Sequence, residues 1–292
     1  MVLLLLVSLL WAFSPGLIKH FLGDLPSPAV ATVRLGLTFL IFAPLLNPRG
    51  IARSTAAWLA GIGAIQFGMM YLLYLQAFQF LQGHEVYLFT IFTPIYVVLL
   101  DAALTKQIGV RHMLAAVLSV AGAGVVIQRS AGTANVMIGF LLVQGANLCF
   151  AAGQIAYKKT RPALAHITDQ VLFAWLALGG FITTALVAIP SLGFSFARFS
   201  PTPLQWLVLA FLGLIASGAG FFVWNRGLTQ VNAGTLAALN NAKIPLGVLV
   251  SLLVFHEPAH LERLLTGLAL LIVAVLLAEW KPRSAATKKA DR

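Results

Sequence analysis

Long apolar stretches, separated by short polar or glycine- and proline-rich turns, run along the whole 292-residue chain. A helix of about 20 apolar residues crosses a bilayer, and this measure predicts ten spans. They lie near residues 2–19, 28–47, 57–79, 85–101, 112–128, 137–157, 169–190, 203–224, 232–254 and 263–280. The pattern therefore predicts an all-α integral membrane protein with ten transmembrane helices. The N-terminal run is read as the first span because no basic residue precedes it, as a signal peptide would require.

Composition supports this fold class and narrows the partners. The chain is 60% hydrophobic and only 9% charged, whereas soluble domains carry about 25% charged residues. Its net charge of +11 suggests nucleic-acid binding at first sight. The basic residues, however, sit in short loops between apolar runs, where they orient helices in a membrane. We therefore expect a lipid bilayer as the partner and no nucleic acid.

The distribution of Lys and Arg predicts the orientation. With a cytoplasmic N-terminus, thirteen of the nineteen basic residues fall on inner loops and the tail, and four fall outside. Two more, Arg34 and Lys243, lie within spans. The positive-inside rule then places both termini in the cytoplasm, and we expect a multi-pass protein of the bacterial inner membrane.

An internal repeat is visible when the sequence is slid by 151 residues, which places Gly83 on Gly234 and Pro94 on Pro245. Five spans precede the second copy, and an odd number gives the copies opposite orientations. The sequence thus predicts two inverted five-helix repeats, residues 1–130 and 131–281, followed by a basic cytoplasmic tail, residues 282–292. Such repeats are typical of carriers with a site near the midplane.

The ninth predicted span carries the most unusual chemistry. It contains Asn240, Asn241 and Lys243, followed by Pro245. A charged amine at mid-membrane depth costs about 2.5 kcal/mol or more, and a proline inside a helix frees a backbone carbonyl. Two such costly features close together predict a binding site. Lys243 can pair with a substrate carboxylate; the alternatives are an ion pair with Glu85 and a side chain that snorkels to the interface.

Segments from both halves carry a family resemblance. VRLGLTFLIF, GMMYLLYLQAF, TPIY, GAGFFVWNRGLTQVNAGT and LNNAKIPLG resemble the ten-helix, EamA-type branch of the drug/metabolite transporter superfamily, over essentially the whole chain. LLWAFS, GAIQFGMMY and LLVQGANLCFA look most like the biotin uptake permeases of the carboxylate/amino acid/amine transporter group. The resemblance implies a secondary transporter that works by alternating access and takes up biotin or a similar carboxylate.

Ten residues are the candidate substrate-binding set: Trp11, Arg34, Gln66, Tyr71, Glu85, Trp224, Asn225, Asn240, Asn241 and Lys243. Arg34 can clamp a carboxylate in bidentate fashion or pair with Glu85. The aromatic residues can stack on a flat ring or simply fill the core. Neighbouring positions on a helix point about 100° apart, so one of the two asparagines can hold a ureido group while the other bridges helices.

Glu85 has several open roles, since it can neutralise Arg34 or Lys243, bind a coupling proton, or face helix N-terminal amides.

An exporter of amino acids or amphipathic metabolites remains an alternative to biotin uptake. An enzyme is disfavoured, because Pro258 interrupts the HExxH pattern at residues 256–260 and that zinc motif requires a helix. No Walker motif is present, so transport should run on a gradient or on exchange. We expect no cofactor. Homo-oligomer formation is left open.

Overall fold

The computed structural model describes residues 2–47, 50–105, 133–193, 199–231 and 243–257, together with isolated positions between 236 and 273. Seven helical stretches in these residues are long and apolar enough to cross a membrane: Val2–Leu22, Ser27–Leu45, Arg53–Ala77, Gly83–Leu104, Ala134–Leu164, Asp169–Ser191 and Pro203–Leu228. They correspond to the first four predicted spans and to the sixth, seventh and eighth. The fifth and most of the tenth lie outside the described residues, and the ninth is described in part.

Several spans consist of more than one helical segment. The α-helices are α1 Val2–Trp11, α2 Ser14–Leu22, α3 Ser27–Phe42, α4 Arg53–Gly63, α5 Met70–Ala77, α6 Gly83–Thr90, α7 Thr93–Thr105, α8 Thr133–Thr160, α9 Asp169–Ser191, α10 Pro203–Ala210, α11 Gly220–Leu228 and α12 Lys243–Leu253. Short 3-10 turns at Ala43–Leu45 and Arg161–Leu164 extend α3 and α8.

The first and fourth spans are interrupted near their middle, between α1 and α2 and between α6 and α7. An interruption frees backbone carbonyls that lipid cannot satisfy. Side chains from other helices satisfy them: the Tyr87 hydroxyl donates to the carbonyls of Trp11 and Ala12, and Asn147 Nδ2 donates to the carbonyl of Phe89 at 2.9 Å. The interruptions are thus built into the packing between helices.

The third and eighth spans each contain a π-helical segment, Ala64–Met69 and Phe211–Ala219. Adding 151 to 64–69 gives 215–220, which overlaps the second segment. The wider turns of the second π-segment offer carbonyls to neighbouring helices: Trp11 Nε1 donates to Ala216 at 2.7 Å and Thr38 Oγ1 to Gly213 at 2.9 Å. The two halves share a backbone distortion, of a kind frequently found at functional sites.

Close backbone contact joins α4 and α9. A methyl group added to Gly63 would lie 1.8 Å from the carbonyl oxygen of Leu176, and one added to Gly179 would lie 1.9 Å from that of Ala60. Small residues permit this approach between membrane helices. On the outside of the bundle large apolar side chains are exposed, among them Leu186 at 69% and Leu207 at 67%, as expected of a lipid-facing surface.

Candidate functional site

A cavity lies inside the bundle, between residues of both halves. It has a volume of about 70 Å³, room for several water molecules, each of which needs roughly 10–15 Å³ on the same measure. The described residues that line it are Trp11, Ser14, Pro15, Arg34, Met70, Tyr71, Tyr74, Tyr87, Thr90, Thr93, Ala146, Asn147, Phe150, Phe221 and Lys243. Four of the ten predicted site residues, namely Trp11, Arg34, Tyr71 and Lys243, are therefore brought together on one cavity.

Arg34 lies in α3 and is almost completely buried, with 2% of its surface exposed. Its Nη2 donates to the Tyr71 hydroxyl at 2.6 Å and to Ser217 Oγ at 3.2 Å, and its guanidinium carbon lies 4.4 Å from the centre of the Tyr71 ring. Nε and Nη1 have no partner within the described part of the chain, which also contains no carboxylate within 4.0 Å of this guanidinium. Three of its five N–H donors are therefore free.

Lys243 lies in α12 and reaches the same cavity. Its Nζ lies 5.1 Å from the centre of the Trp11 ring, within the range of a cation–π interaction. The described residues provide no carboxylate within 4.0 Å of this amine. The proposed ion pair with Glu85 is not formed, because Glu85 Oε2 instead accepts from the backbone N–H of Gln82 at 2.9 Å.

Glu85 therefore lies at the N-terminus of α6 and not on the cavity. Of the roles left open by the sequence, the structure favours the one in which the carboxylate faces helix N-terminal amides. An acidic residue in the first turn of a helix is stabilised there by the helix dipole and by free N–H groups. Its local cap explains why it contacts neither Arg34 nor Lys243.

Aromatic rings form one wall of the cavity, centred on Trp11. Its ring centroid lies 5.0 Å from that of Trp224, 5.3 Å from that of Phe221 and 6.1 Å from that of Phe150. Trp224 is fully buried behind Trp11 and does not line the cavity. Most of these rings lie at an angle to one another, which leaves apolar faces and edges available to an apolar ring or chain.

The predicted amides form a separate group next to the cavity. Gln66 Nε2 donates to Asn225 Oδ1 at 2.9 Å, and Asn240 Nδ2 donates to Gln154 Oε1 at 3.3 Å. Trp224 Nε1 donates to the same Gln154 oxygen at 3.2 Å. Gln154 was missed by the sequence analysis, although an amide within an apolar span is a usable signal. Asn241 lies outside the described residues.

Most of the cavity lining could not be predicted from the sequence. Hydroxyl and aromatic residues such as Thr90, Thr93 and Tyr87 occur in many membrane helices without binding anything. The best missed signal is Asn147 in LLVQGANLCFA, which bonds to Thr93 Oγ1 at 3.0 Å and to the Phe89 carbonyl. It holds the interrupted fourth span and faces the cavity at the same time.

At one end of the bundle, Glu257 joins the segment after α12 to the start of α6. Its carboxylate accepts from the backbone N–H groups of Gly83 at 3.0 Å and His84 at 2.9 Å, and lies 2.8 Å from His84 Nδ1. Burial tends to raise the pKa of Glu257, but the hydrogen bonds from His84 and Gly83 outweigh it and lower that pKa. Within the described residues no group of three or more His, Cys, Asp or Glu side chains suits a metal ion.

The family comparison adds to this geometry. The model of the EamA-like transporter family matches residues 1–128 and 137–279. The chain belongs to the EamA-like transporter family. It is accordingly a multi-pass membrane transporter and not an enzyme.

Several relatives of this EamA-family chain are similar along nearly their whole length. The "Biotin transporter" of Escherichia coli (strain K12) is 40% identical over 295 residues, covering 98% of this chain and 96% of that one. The "Biotin transporter" of Salmonella typhimurium is 39% identical over 294 residues, with the same coverage. The "Probable biotin transporter" of Pseudomonas aeruginosa is 38% identical over 276 residues, covering 93% of this chain and 95% of that one.

The fold of this EamA-family chain also resembles a solved protein crystal structure. The two superpose with a TM-score of 0.64 and cover 95% of each chain, at 21% sequence identity. At that identity the similarity shows a shared fold, and nothing about substrate follows from it.

Proposed function

We propose that this chain takes up biotin across the bacterial inner membrane as a secondary transporter. The observation that carries the proposal is the pair of cations, Arg34 and Lys243, on one cavity inside the membrane without a carboxylate partner among the described residues. Charge in such a place is costly unless something compensates it. A substrate carboxylate supplies the compensation, and the names of the relatives point to biotin as the acid.

The charge balance of the cavity argues against an amino-acid exporter. An amino acid brings an ammonium group as well as a carboxylate, and the ammonium would need an acidic partner. None of the described residues that line the cavity is Asp or Glu. A monocarboxylate with an apolar body fits better, because its carboxylate can meet Arg34 and Lys243 while its chain and ring lie against Trp11 and Phe221.

We infer that transport proceeds by alternating access of two inverted repeats. The family model matches two successive stretches of the chain, and both matched stretches contain a π-segment at corresponding positions. Interrupted membrane helices beside a midplane site are typical of carriers built from inverted repeats. Biotin is larger than the few waters that the present cavity holds, so the surrounding helices must separate when the substrate enters and again when it leaves.

The orientation can be tested with fusions to the C-terminus. Both termini lie in the cytoplasm in our proposal, so green fluorescent protein placed after residue 292 should fluoresce. Alkaline phosphatase at the same position should be inactive, because it matures only outside the cytoplasm. The opposite pair of results would reverse the proposed orientation.

The central experiment is uptake of radiolabelled biotin by biotin-deficient cells that produce Lys243→Ala. Loss of one partner of a buried charge pair costs roughly 2–5 kcal/mol, so uptake should fall at least about thirtyfold while the protein still reaches the membrane. Lys159→Ala, which removes a half-exposed lysine, is the matched control and should transport normally. Unchanged uptake by Lys243→Ala would remove the lysine from the site. Amino-acid resistance without biotin accumulation by the unaltered chain would favour the exporter.

A further inference from the structure

Four buried amides form a layer directly beside the cavity. Each lies three or four residues, about one helical turn, from a residue that lines the cavity on the same span. The pairs are Gln66 with Met70, Gln154 with Phe150, Asn225 with Phe221 and Asn240 with Lys243. We call these four amides the amide layer.

All four are displaced toward the same end of the bundle. Gln66 precedes its cavity residue in a span that begins at Arg53, whereas Gln154 and Asn225 follow theirs in spans that end at Leu164 and Leu228. Contacts hold these span ends together: Trp58 Nε1 donates to Thr160 Oγ1 at 2.9 Å, and Lys158 Nζ donates to the Leu228 carbonyl at 3.2 Å. The amide layer therefore lies next to the cavity, on the side toward this end of the bundle.

The layer is divided into two hydrogen-bonded pairs, Gln66 with Asn225 and Gln154 with Asn240. The pairs are adjacent, since a methyl group added to Gly153 would lie 2.2 Å from the Gln66 Cβ. All four side chains are at most 2% exposed. The atoms that remain without a partner in the described structure are Gln66 Oε1, Asn225 Nδ2, Gln154 Nε2 and Asn240 Oδ1.

These four unpartnered amide atoms define which ligand group could bond to all of them. Each pair leaves one amide oxygen and one amino group, so the layer offers two acceptors and two donors. Turning over both amides of the pair Gln66 and Asn225 reverses their bond and leaves the same set. The orientation of the pair Gln154 and Asn240 is fixed by the bonds from Trp224 Nε1 to Gln154 Oε1 and from Asn240 Nδ2 to the Leu236 carbonyl. A urea carries two N–H donors and one carbonyl oxygen that accepts twice. It matches the layer group for group.

We propose that the amide layer recognises the ureido ring of biotin. This inference rests on the proposed function. It adds a binding site for the ureido end of the substrate, which is opposite to the carboxylate. Arg34 and Lys243 hold the carboxylate, and the amide layer, one turn further along the bundle, receives the ureido group. Trp224 links the two regions, because its ring packs against that of Trp11 at a centroid distance of 5.0 Å and its Nε1 donates to Gln154.

A purely structural role explains the layer less well. Amides do join membrane helices by hydrogen bonds, but a network that serves only to hold helices has no reason to leave one donor or acceptor open on each member. Buried polar groups are normally satisfied, and each exception calls for a cause. A ligand that arrives with two donors and a double acceptor would satisfy all four atoms together.

The test compares substrates that share a carboxylate but differ in the urea. Labelled biotin uptake is measured in competition with desthiobiotin, which keeps the cyclic urea, and with lipoate, which keeps the acid side chain and lacks the urea. The variants are Gln154→Met and Gln66→Met, which retain side-chain length without hydrogen bonding. Gln144→Met is the control, because Gln144 lies on the same helix as Gln154 and both of its amide atoms have partners within the protein.

The unaltered protein should bind biotin and desthiobiotin at least roughly tenfold more tightly than lipoate, since a site built for hydrogen bonds rejects analogues that lack them. Each Met variant should weaken the binding of biotin roughly three- to tenfold and leave the inhibition constant of lipoate unchanged. Gln144→Met should show the same ratio of biotin affinity to lipoate affinity as the unaltered protein. If one Met variant does not reach the membrane, the other Met variant and Asn225→Leu serve instead, and both should show the same loss of preference for biotin over lipoate.

Two kinds of failure are distinguishable. If the unaltered chain does not take up biotin, the proposed function is wrong. If biotin uptake depends on Lys243 but the biotin-to-lipoate ratio is the same in Gln154→Met, Gln66→Met and the unaltered protein, only the assignment of the amide layer is overturned.

Discussion

Two regions of this protein hold buried charge in opposite ways. In the Glu257 clamp, formed by Gly83, His84 and Glu257, one carboxylate receives three donors within 3.0 Å and its side chain is 7% exposed. In the cavity, Arg34 and Lys243 have no carboxylate partner among the described residues, and Arg34 leaves two nitrogens unbonded. The clamp is complete by itself, whereas the cavity is completed only by a ligand.

This difference separates structural from functional charge. A buried carboxylate with several hydrogen bonds stabilises the arrangement that supplies them. A buried cation without a counter-charge destabilises its surroundings until an anion arrives. Strain of that kind is expected at a binding site, since it makes the substrate part of the electrostatic balance of the protein. Four predictions test the distinction.

The largest effect should come from giving the cavity its own carboxylate. Ser217 Oγ already accepts from Arg34, so Ser217→Asp would place an acid beside the guanidinium. Biotin uptake should then fall at least about thirtyfold, because the internal carboxylate takes the place of that of the substrate. Thermal unfolding in detergent should show that the protein is not destabilised. Ser217→Asn, of nearly the same size but neutral, should keep most of the uptake; equal loss in both variants would indicate a steric effect instead.

Removing the charge from the clamp should affect stability and leave recognition intact. Hydrogen bonds to a charged group contribute roughly 1.5–3 kcal/mol, so Glu257→Gln should lower the unfolding temperature by several degrees. The affinity for biotin should stay within about threefold, because Glu257 does not line the cavity. Glu262→Gln, at an exposed position, is the control and should change neither quantity. A severe loss of affinity with normal stability would place Glu257 in the substrate path.

The stabilisation that the Glu257 clamp provides should decrease as the pH falls. Because the net effect of its surroundings lowers the pKa of Glu257, the folded protein holds this proton less tightly than the unfolded chain does. The stabilisation is therefore present above the ordinary glutamate pKa of about 4.3 and is lost as the pH falls through the lower folded value. Unfolding temperatures of the unaltered protein and of Glu257→Gln should converge between pH 5 and about pH 3. A constant difference across that range would contradict the assignment.

The smallest effect is expected at Glu85. The structure places it in the first turn of α6, bonded to Gln82 N, so Glu85→Ala should cost about 1 kcal/mol of stability, as for the loss of a helix cap. Biotin uptake should remain within about twofold. A strong loss of uptake would instead support the direct or proton-coupling role that the sequence left open.

Hydropathy predicted most of the described fold. Seven of the predicted spans are membrane-length helices, because a bilayer demands a length and a polarity that can be read directly. The interruptions at Ala12–Phe13 and Ile91–Phe92 and the two π-segments were not predicted. They depend on which carbonyls find donors on other helices, such as Tyr87 and Asn147, and those partners are distant in the chain.

The candidate site was predicted in part, for a similar reason. Arg34 and Lys243 stand out because charge is rare inside a span, and both line the cavity. Trp11 and Tyr71 were predicted because they are aromatic residues within spans, and they also line it. Glu85 is equally conspicuous in the sequence, yet its carboxylate is bonded at the helix end. Gln66, Asn225 and Asn240 lie one turn away from the cavity. The fourth member of the amide layer, Gln154, was not predicted from the sequence.

The sequence by itself determined that this chain lies in a membrane, which family it belongs to, and which few charges are buried there. These properties follow from composition along each span and from similarity over the whole length. Only the tertiary structure decided which charges are satisfied. Whether a buried side chain has a partner depends on the rotation and packing of several helices at once. For that reason the structure, and not the sequence, distinguishes the satisfied carboxylate of the clamp from the cations of the cavity, which have no carboxylate partner among the described residues.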